Sequence, residues 1–423
     1  MDREALSDKS SDRRRNSDHG VQAMNDHSSG DRRADDSKSE DLLRRASVVL
    51  PRRRRIQTEV IGRSQGSYIW TLDGHRYVDH VLSGGTILIG HADPRVNRAV
   101  NETSAKVDSA GEGLVEEEVL LAERISRLLP WAETIDVTPT ADEALSRALR
   151  IAKVVTGRQD VLWIRCRHER RAANEPPGED KSPADQVADW DNHDIIRHRL
   201  TQGDAAPGAV VLKPCLHISI EASPDQDLPR LVRHLSTTAG TIVIFDESLT
   251  GFGRHLGGYQ SIVEVTPDLA VLGEAMGNGY GGGALVGRAD MIEALSRPVS
   301  GDQSLGSRPY VLAASLETLR ILEEQGSEHI NRLGSALRYE IAEAIREAGA
   351  PVSVAGFGSS WSLDWKADPA GHMTSGLFHQ RMRSAGILLS TSDTVNYLCV
   401  AMSDSDVEET VAAARAALQQ VAP

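Results

Sequence analysis

Three short, nearly uninterrupted apolar runs stand in the middle of the chain: DVLWI (160–164), GAVVLK (208–213) and TIVIFD (241–246). Runs without polar alternation are expected of strands buried on both faces of a parallel sheet. Around them the apolar residues recur at helical spacing, in EEEVLLAERISRLL (116–129) and ADEALSRALRIAKVV (141–155). Strands alternating with helices predict a large doubly wound α/β domain with a mainly parallel sheet, over residues 91–325. Later, Ile330, Leu333, Leu337, Ile341 and Ile345 share one helix face that ends near Gly349 and Pro351. VAGFGSSWSLDW, ILLSTS and YLCVAM then read as short strands, and SDVEETVAAARAALQQV as a closing helix capped by Ser403 or Asp404. These form a small α/β domain from 326–423, joined by an N-terminal segment, 43–90, where YIWTLDGHRYVDHVL reads as two strands around DGH.

The first 42 residues break this pattern. They mix Ser, Asp and Arg with almost nothing apolar, so they cannot bury enough surface to offset the entropy of ordering and are expected to be a disordered tail. Met24 is an alternative start. The basic cluster PRRRR (51–55) reads as a solvated segment leading into the fold.

Composition narrows the class. A chain of 423 residues is long enough for two domains. With only 4% aromatic residues, aliphatic side chains must build the core. A formal charge of −14 argues against nucleic acid as a partner, since phosphate binding needs a basic surface. No apolar run approaches the roughly 20 residues that span a bilayer, and no signal-peptide pattern opens the chain. Cys166, Cys215 and Cys399 show neither pairing nor zinc spacing, so the expectation is a soluble cytoplasmic protein without a metal.

The stretch LAVLGEAMGNGYGGGALVG (269–287) follows IFDES and has the small-residue, turn-rich look of an active-site loop. Together, IFDESLTGFGRHLGGYQSIVEVTPDLAVLGE resembles the core signature of class III aminotransferases, of pyridoxal-phosphate fold type I, in the glutamate-1-semialdehyde aminomutase branch. LDGHRYVDHVLSGGTILIGHADPRV, VEEEVLLAERISRLLP, ALRIAKVVTGRQD and GILLSTSDTVNYLCVAMSDSDVEETVAAA agree in order and spacing, so the likeness covers roughly residues 45–420. It implies the fold directly. Function is argued at the site.

In the resembled family a lysine amine forms a Schiff base with the cofactor aldehyde, a carboxylate faces the pyridine nitrogen, a helix N-terminus cradles the phosphate, and an aromatic ring stacks on the cofactor. The resemblance places Asp246 as the carboxylate, at the end of TIVIFD, where open α/β sheets bind ligands. The other positions depart. Glu274 stands where the family has lysine, and a carboxylate forms no imine. The family's NSGTEA aligns with PTADEA (139–144). Thr140 and Glu143 keep a capping box, but Ala141 replaces the glycine and Asp142 places a negative charge in the first turn. Where the family has YHG the chain has Arg167, His168 and Glu169, so the stacking ring is absent. Gly84 replaces the aromatic of a substrate-contact triplet, and Ser304 replaces the threonine that reaches a neighbouring subunit's phosphate.

Lys213, in LKPC, stands where the resemblance expects glutamate. Two readings follow: a swapped ion pair with Glu274, which would neutralise a partly buried charge, or a displaced amine still able to meet an aldehyde. Cys215 beside it reads as a buried structural thiol. Altogether the sequence points to a class III aminotransferase-like pseudoenzyme without a bound cofactor, binding a small-molecule ligand or a partner, as a homodimer or a heterodimer with an active homologue. Two alternatives stay open. One is cofactor-independent acid/base chemistry by Glu274, Lys213, Asp246 and His168. The other is use of pyridoxal or pyridoxamine phosphate as a dissociable, non-covalent reagent.

Overall fold

The structure, a computed structural model, describes residues 29–50, 59–109, 111, 113–165, 186–214, 226–253, 255–295, 308–365, 372–390 and 395–421. It divides into two compact units, Met1–Arg63 with Trp70–Arg76, and Ser64–Ile69 with Tyr77–Pro423. In the first, the helix Ser29–Val49 occupies part of the stretch expected to be disordered. This difference has a local cause. The helix has no apolar stripe for periodicity to reveal, but Asp41 pairs with Arg44 and Arg45, at the i,i+3 and i,i+4 spacing that supports a solvated helix. In the same unit the Arg63 guanidinium lies 3.9 Å from the centre of the Trp70 ring.

Early strands are β1 (Ile61–Gln65), β2 (Tyr68–Thr71) and β3 (Arg76–Asp79). The second unit is built on a seven-stranded sheet of β4 (Thr134–Thr138), β5 (Val161–Arg165), β6 (Gln186–Asp189), β7 (Ala209–Leu212), β8 (Ile242–Glu247), β9 (Leu269–Leu272) and β10 (Gly283–Gly287). The spatial order is β4-β10-β9-β8-β7-β5-β6. β5 through β9 pair in parallel, whereas β10 runs antiparallel between β4 and β9. The three apolar runs of the sequence are β5, β7 and β8, and β7 and β8 are buried throughout.

Side chains alternate between the two faces. Ala209, Val211, Ile242, Ile244, Leu269 and Val271 pack with Ala144, Leu145, Ala148 and Ile151 of the helix Ala141–Thr156. Val210, Leu212, Val243, Phe245 and Leu272 pack on the other side with Leu121 and Ile125 of the helix Glu116–Leu128 and Leu312, Leu319 and Leu322 of the helix Pro309–Gln325. With both faces covered, the sheet needs no polar alternation.

A second core forms near the C-terminus. Leu333, Leu337, Ile341 and Ile345 of the helix Glu328–Ala348 meet Trp361, Leu363, Phe378 and Leu418, together with Val78 and Leu82. That helix ends at Gly349 in the left-handed conformation, as its sequence predicts. VAGFGSSWSLDW is split by Gly356 into the hairpin β11 (Ser353–Ala355) and β12 (Ser360–Asp364). β13 (Ile387–Leu388) joins β3 in parallel, and β14 (Asn396–Tyr397) joins β12. The last helix, Asp404–Val421, is capped by Ser403. The Ser403 hydroxyl accepts from the Asp406 N–H and the Asp406 carboxylate accepts from the Ser403 N–H at 2.8 Å, a closed capping box.

Candidate functional site

The C-terminal ends of β7, β8 and β9 and the start of the helix Ala141–Thr156 meet at one edge of the sheet. Asp246 continues the face of Ile242 and Ile244, so it lies on the helix side. It is buried and accepts the Ser248 N–H at 3.2 Å. Its neighbour Glu247 falls on the opposite face, fully buried. The Glu247 carboxylate accepts the N–H groups of Tyr259 at 2.5 Å and Gln260 at 3.2 Å, and the Thr250 hydroxyl at 3.3 Å. It thereby holds the start of the helix Gly258–Val263. Burial pushes its pKa up to about 7, against the pull of those hydrogen bonds and with added repulsion from Asp246.

The helix start behaves as the sequence predicts on one side only. Thr140, extended at φ −146°, accepts the Glu143 N–H at 3.2 Å. The return bond of the expected capping box is not made. The Glu143 carboxylate instead accepts from Arg147 at 2.7 Å, and Arg147 also holds Asp136 at 2.6 Å. A nearby cation one turn on outcompetes the Thr140 amide.

Protein backbone packs closely around this first turn. A Cβ on Gly273 would lie 2.5 Å from the Ala141 Cβ and 3.0 Å from the Ser248 Cα, and one on Gly283 would lie 2.5 Å from the Thr140 carbonyl. Ala141 itself is buried. The loop after β9 is held in turn by Asn278. In the left-handed region at φ 46°, its side chain accepts the Ile89 N–H at 2.9 Å and donates to the Gly90 carbonyl at 3.0 Å.

Glu274 opens a short turn, Glu274–Gly277, directly after Gly273. The stretch 269–287, which the sequence suggests is a loop, is therefore strand β9, this turn and strand β10. The Glu274 side chain reaches the surface, yet crowding by protein raises its pKa, and the Asp142 charge raises it further. Two carboxyl groups thus oppose each other at the N-terminus of one helix, whose dipole attracts negative charge but does not remove their mutual repulsion.

Lys213 does not answer Glu274. Asp142 is the charge that acts on Glu274 among the described residues, so the expected swapped ion pair is not formed. Topology explains this. Leu212 pairs with Phe245 and Glu247 with Leu272, so Lys213 follows β7, Glu274 comes after β9, and β8 with Asp246 runs between them. Two strand spacings separate the backbones by about 10 Å. Lys213 sits beside Asp246 on the next strand and shares its face.

His168 and Ser304 lie outside the described residues, as do Arg167 and Cys215. Glu247 and Asn278 are the positions that sequence reasoning passed over. The Asn-Gly pair 278–279 marked a left-handed turn, and Glu247 held the inward parity of a continuous apolar strand. Among the described residues no cluster of three or more His, Cys, Asp or Glu side chains could hold a metal ion, and no helix is long and apolar enough to cross a membrane.

A twisted, mainly parallel sheet with a carboxylate at the end of a central strand, facing a helix N-terminus, is the frame of a fold type I pyridoxal-phosphate enzyme. The chain matches the family Aminotransferase class-III over residues 50–169 and 209–418 and belongs to it. A glutamate-1-semialdehyde 2,1-aminomutase of Thermomicrobium roseum is 30% identical over 390 residues, covering 85% of this chain and 90% of the relative. Among solved structures, an omega-transaminase from Sphaerobacter thermophilus superposes with a TM-score of 0.78 at 25% identity, covering 90% of this chain and 97% of that one. A transaminase with pyridoxal phosphate bound shares the fold at 20% identity, with a TM-score of 0.78 over 91% of this chain and 98% of its own.

Proposed function

We propose that this chain is a class III aminotransferase homologue that does not transaminate through a lysine Schiff base, and that its cleft serves a non-catalytic role, binding a small ligand or pairing with a second subunit. One observation carries the reading: Glu274 follows Gly273, which packs directly against Ala141, the neighbour of Asp142, at the helix start that the resemblance assigns to a phosphate. The residues present do not suit pyridoxal phosphate. Its phosphate carries about −1.5 to −2 charges, and it would meet two carboxyl groups and a first turn filled by the Ala141 methyl against Gly273. A glutamate at 274 offers no amine. The second subunit is a copy of this chain or a lysine-bearing relative.

A second reading rests on Asp246, whose position at the end of β8 suits the ring nitrogen of a pyridoxal or pyridoxamine phosphate held without a covalent bond. An absorbance titration with pyridoxal phosphate, followed by borohydride reduction and mass spectrometry, separates the two. The first reading expects no chromophore at millimolar cofactor and no labelled lysine. A chromophore without a label favours the second. A label on Lys213 defeats both and restores a Schiff base at a new position.

A further inference from the structure

The helix Ser29–Val49 carries a hydroxyl set in a specific charge pattern. Ser47 lies in its last turn, is exposed, and belongs to the run LLRRASVV (42–49). Arg44 and Arg45 stand three and two residues before it, and Val48 comes directly after. The two arginine side chains are 74% and 66% exposed. Arginines at fixed offsets can be read by paired carboxylates in an acidic groove, and a following apolar residue can be read by a pocket.

The local structure lets such a groove reach the hydroxyl. Val48 and Val49 are 73% and 75% exposed, so opening the last turn gives up little buried apolar surface. Both are β-branched and favour helix weakly. The Ser47 hydroxyl donates to the Arg44 carbonyl at 2.6 Å, a local bond that competes with the helix ladder. A helix end with few apolar contacts and solvent-exposed backbone opens at little cost. Asp41 pairs with both arginines, but exposed pairs of this kind contribute little and are readily exchanged for a better partner.

We propose that Ser47 is a phosphorylation site for a serine kinase with an acidic substrate groove. The Ser47 Oγ bonds to the γ-phosphorus of a nucleoside triphosphate while the bond from that phosphorus to the β,γ-bridging oxygen breaks. The nucleoside diphosphate leaves, and the hydroxyl proton passes to a carboxylate of the kinase. The product phosphate, at about −1.5 to −2 charges, draws Arg44 from Asp41 and stands at the helix end where the dipole disfavours negative charge, so the last turn loosens. Ser17 also follows two arginines at these offsets, but Asp18 comes next, and an acidic groove repels it. Ser17 lies outside the described residues. This proposal is independent of what the cleft at Asp246 binds.

The test incubates the full chain with magnesium ATP and the catalytic subunit of cyclic-AMP-dependent protein kinase, which selects arginines at these two offsets. Peptide mass spectrometry locates the phosphate, and initial rates give kcat/KM. One phosphate on Ser47 is expected, absent from Ser47→Ala, with faster amide exchange over residues 46–50 once it is added. Arg44→Ala and Arg45→Ala should each lower kcat/KM about tenfold or more, whereas Asp41→Asn should raise it severalfold by freeing both guanidinium groups. Absence of phosphate from Ser47, or its placement on Ser17 instead, overturns the proposal. A rate that is unchanged or higher in Arg44→Ala overturns it too, because helix opening rather than the arginines would then govern the reaction.

Discussion

At the level of single residues, the cleft is defined by which charge stands next to which. Glu274 holds its proton more tightly than an ordinary glutamate, chiefly because protein crowds it and secondarily because Asp142 repels its charged form. Only the second cause is removable without disturbing the turn. Asp142→Thr should therefore lower the Glu274 pKa part of the way, leaving it above the ordinary carboxylate value. The substitution should also cost about 0.3–1 kcal/mol, because it removes a first-turn carboxylate that complements the helix dipole. Carbon-detected NMR titration of Glu274 in the two proteins measures the shift, and an unmoved pKa would show that Asp142 does not act on it. Sequence made the Glu274 and Asp142 identities plain but not their opposition, since 132 residues separate the two positions. Their meeting depends on β10 inserting antiparallel between β4 and β9, which carries the loop after β9 over the start of the helix Ala141–Thr156.

Elements explain why much of the fold could be read in advance. β5, β7 and β8 are legible because strands covered on both faces leave uninterrupted apolar runs. The helix Glu328–Ala348 is legible because one buried stripe ends in a glycine able to adopt φ +64°. β10 is not legible, because GALVG is short and glycine-flanked, and its burial comes from neighbours on both sides rather than from its own pattern. The helix Ser29–Val49 is not legible for the opposite reason, since paired charges support it without an apolar face. Where two elements pack closely, small residues are constrained together. A methyl added at Gly273 would lie 2.5 Å from the Ala141 Cβ, so Gly273→Ala should destabilise the protein by about 1–3 kcal/mol through overpacking. Adding Ala141→Gly should recover part of that loss, and the remainder reflects the 3.0 Å approach to the Ser248 backbone. Urea denaturation of both single variants and the double gives the coupling. Strict additivity would mean that the loop and the helix do not touch as described.

For the whole molecule, the two buried cores carry opposite protonation preferences. In the first, burial raises the Glu247 pKa from 4.5 to about 7. The folded state therefore holds a proton that the unfolded chain releases, and the corresponding stability, complete below pH 4.5, is lost as pH rises to about 7. In the second, burial lowers the His80 pKa from 6.5 to about 4, against the Tyr397 carbonyl and the charges of Asp79 and Asp406. There the unfolded chain binds the extra proton, so stability is complete above pH 6.5 and is lost as pH falls towards 4. Each shift corresponds to about 3 kcal/mol, and between about pH 4.5 and 6.5 the two slopes oppose and cancel. Removing either group should expose the other. Glu247→Gln should make stability climb with pH across that interval, on top of a constant loss of about 1–3 kcal/mol, because one carboxyl oxygen that faces an N–H donor becomes an NH2 group, which cannot accept. His80→Asn should make stability fall with pH instead, reaching its floor near pH 7. Urea midpoints measured at half-unit pH steps for the three proteins decide it. Parallel curves would mean that neither buried group changes its proton affinity on folding. Crossing curves would show that the flat profile of the intact protein is a balance between one carboxyl under the central sheet and one imidazole in the C-terminal core.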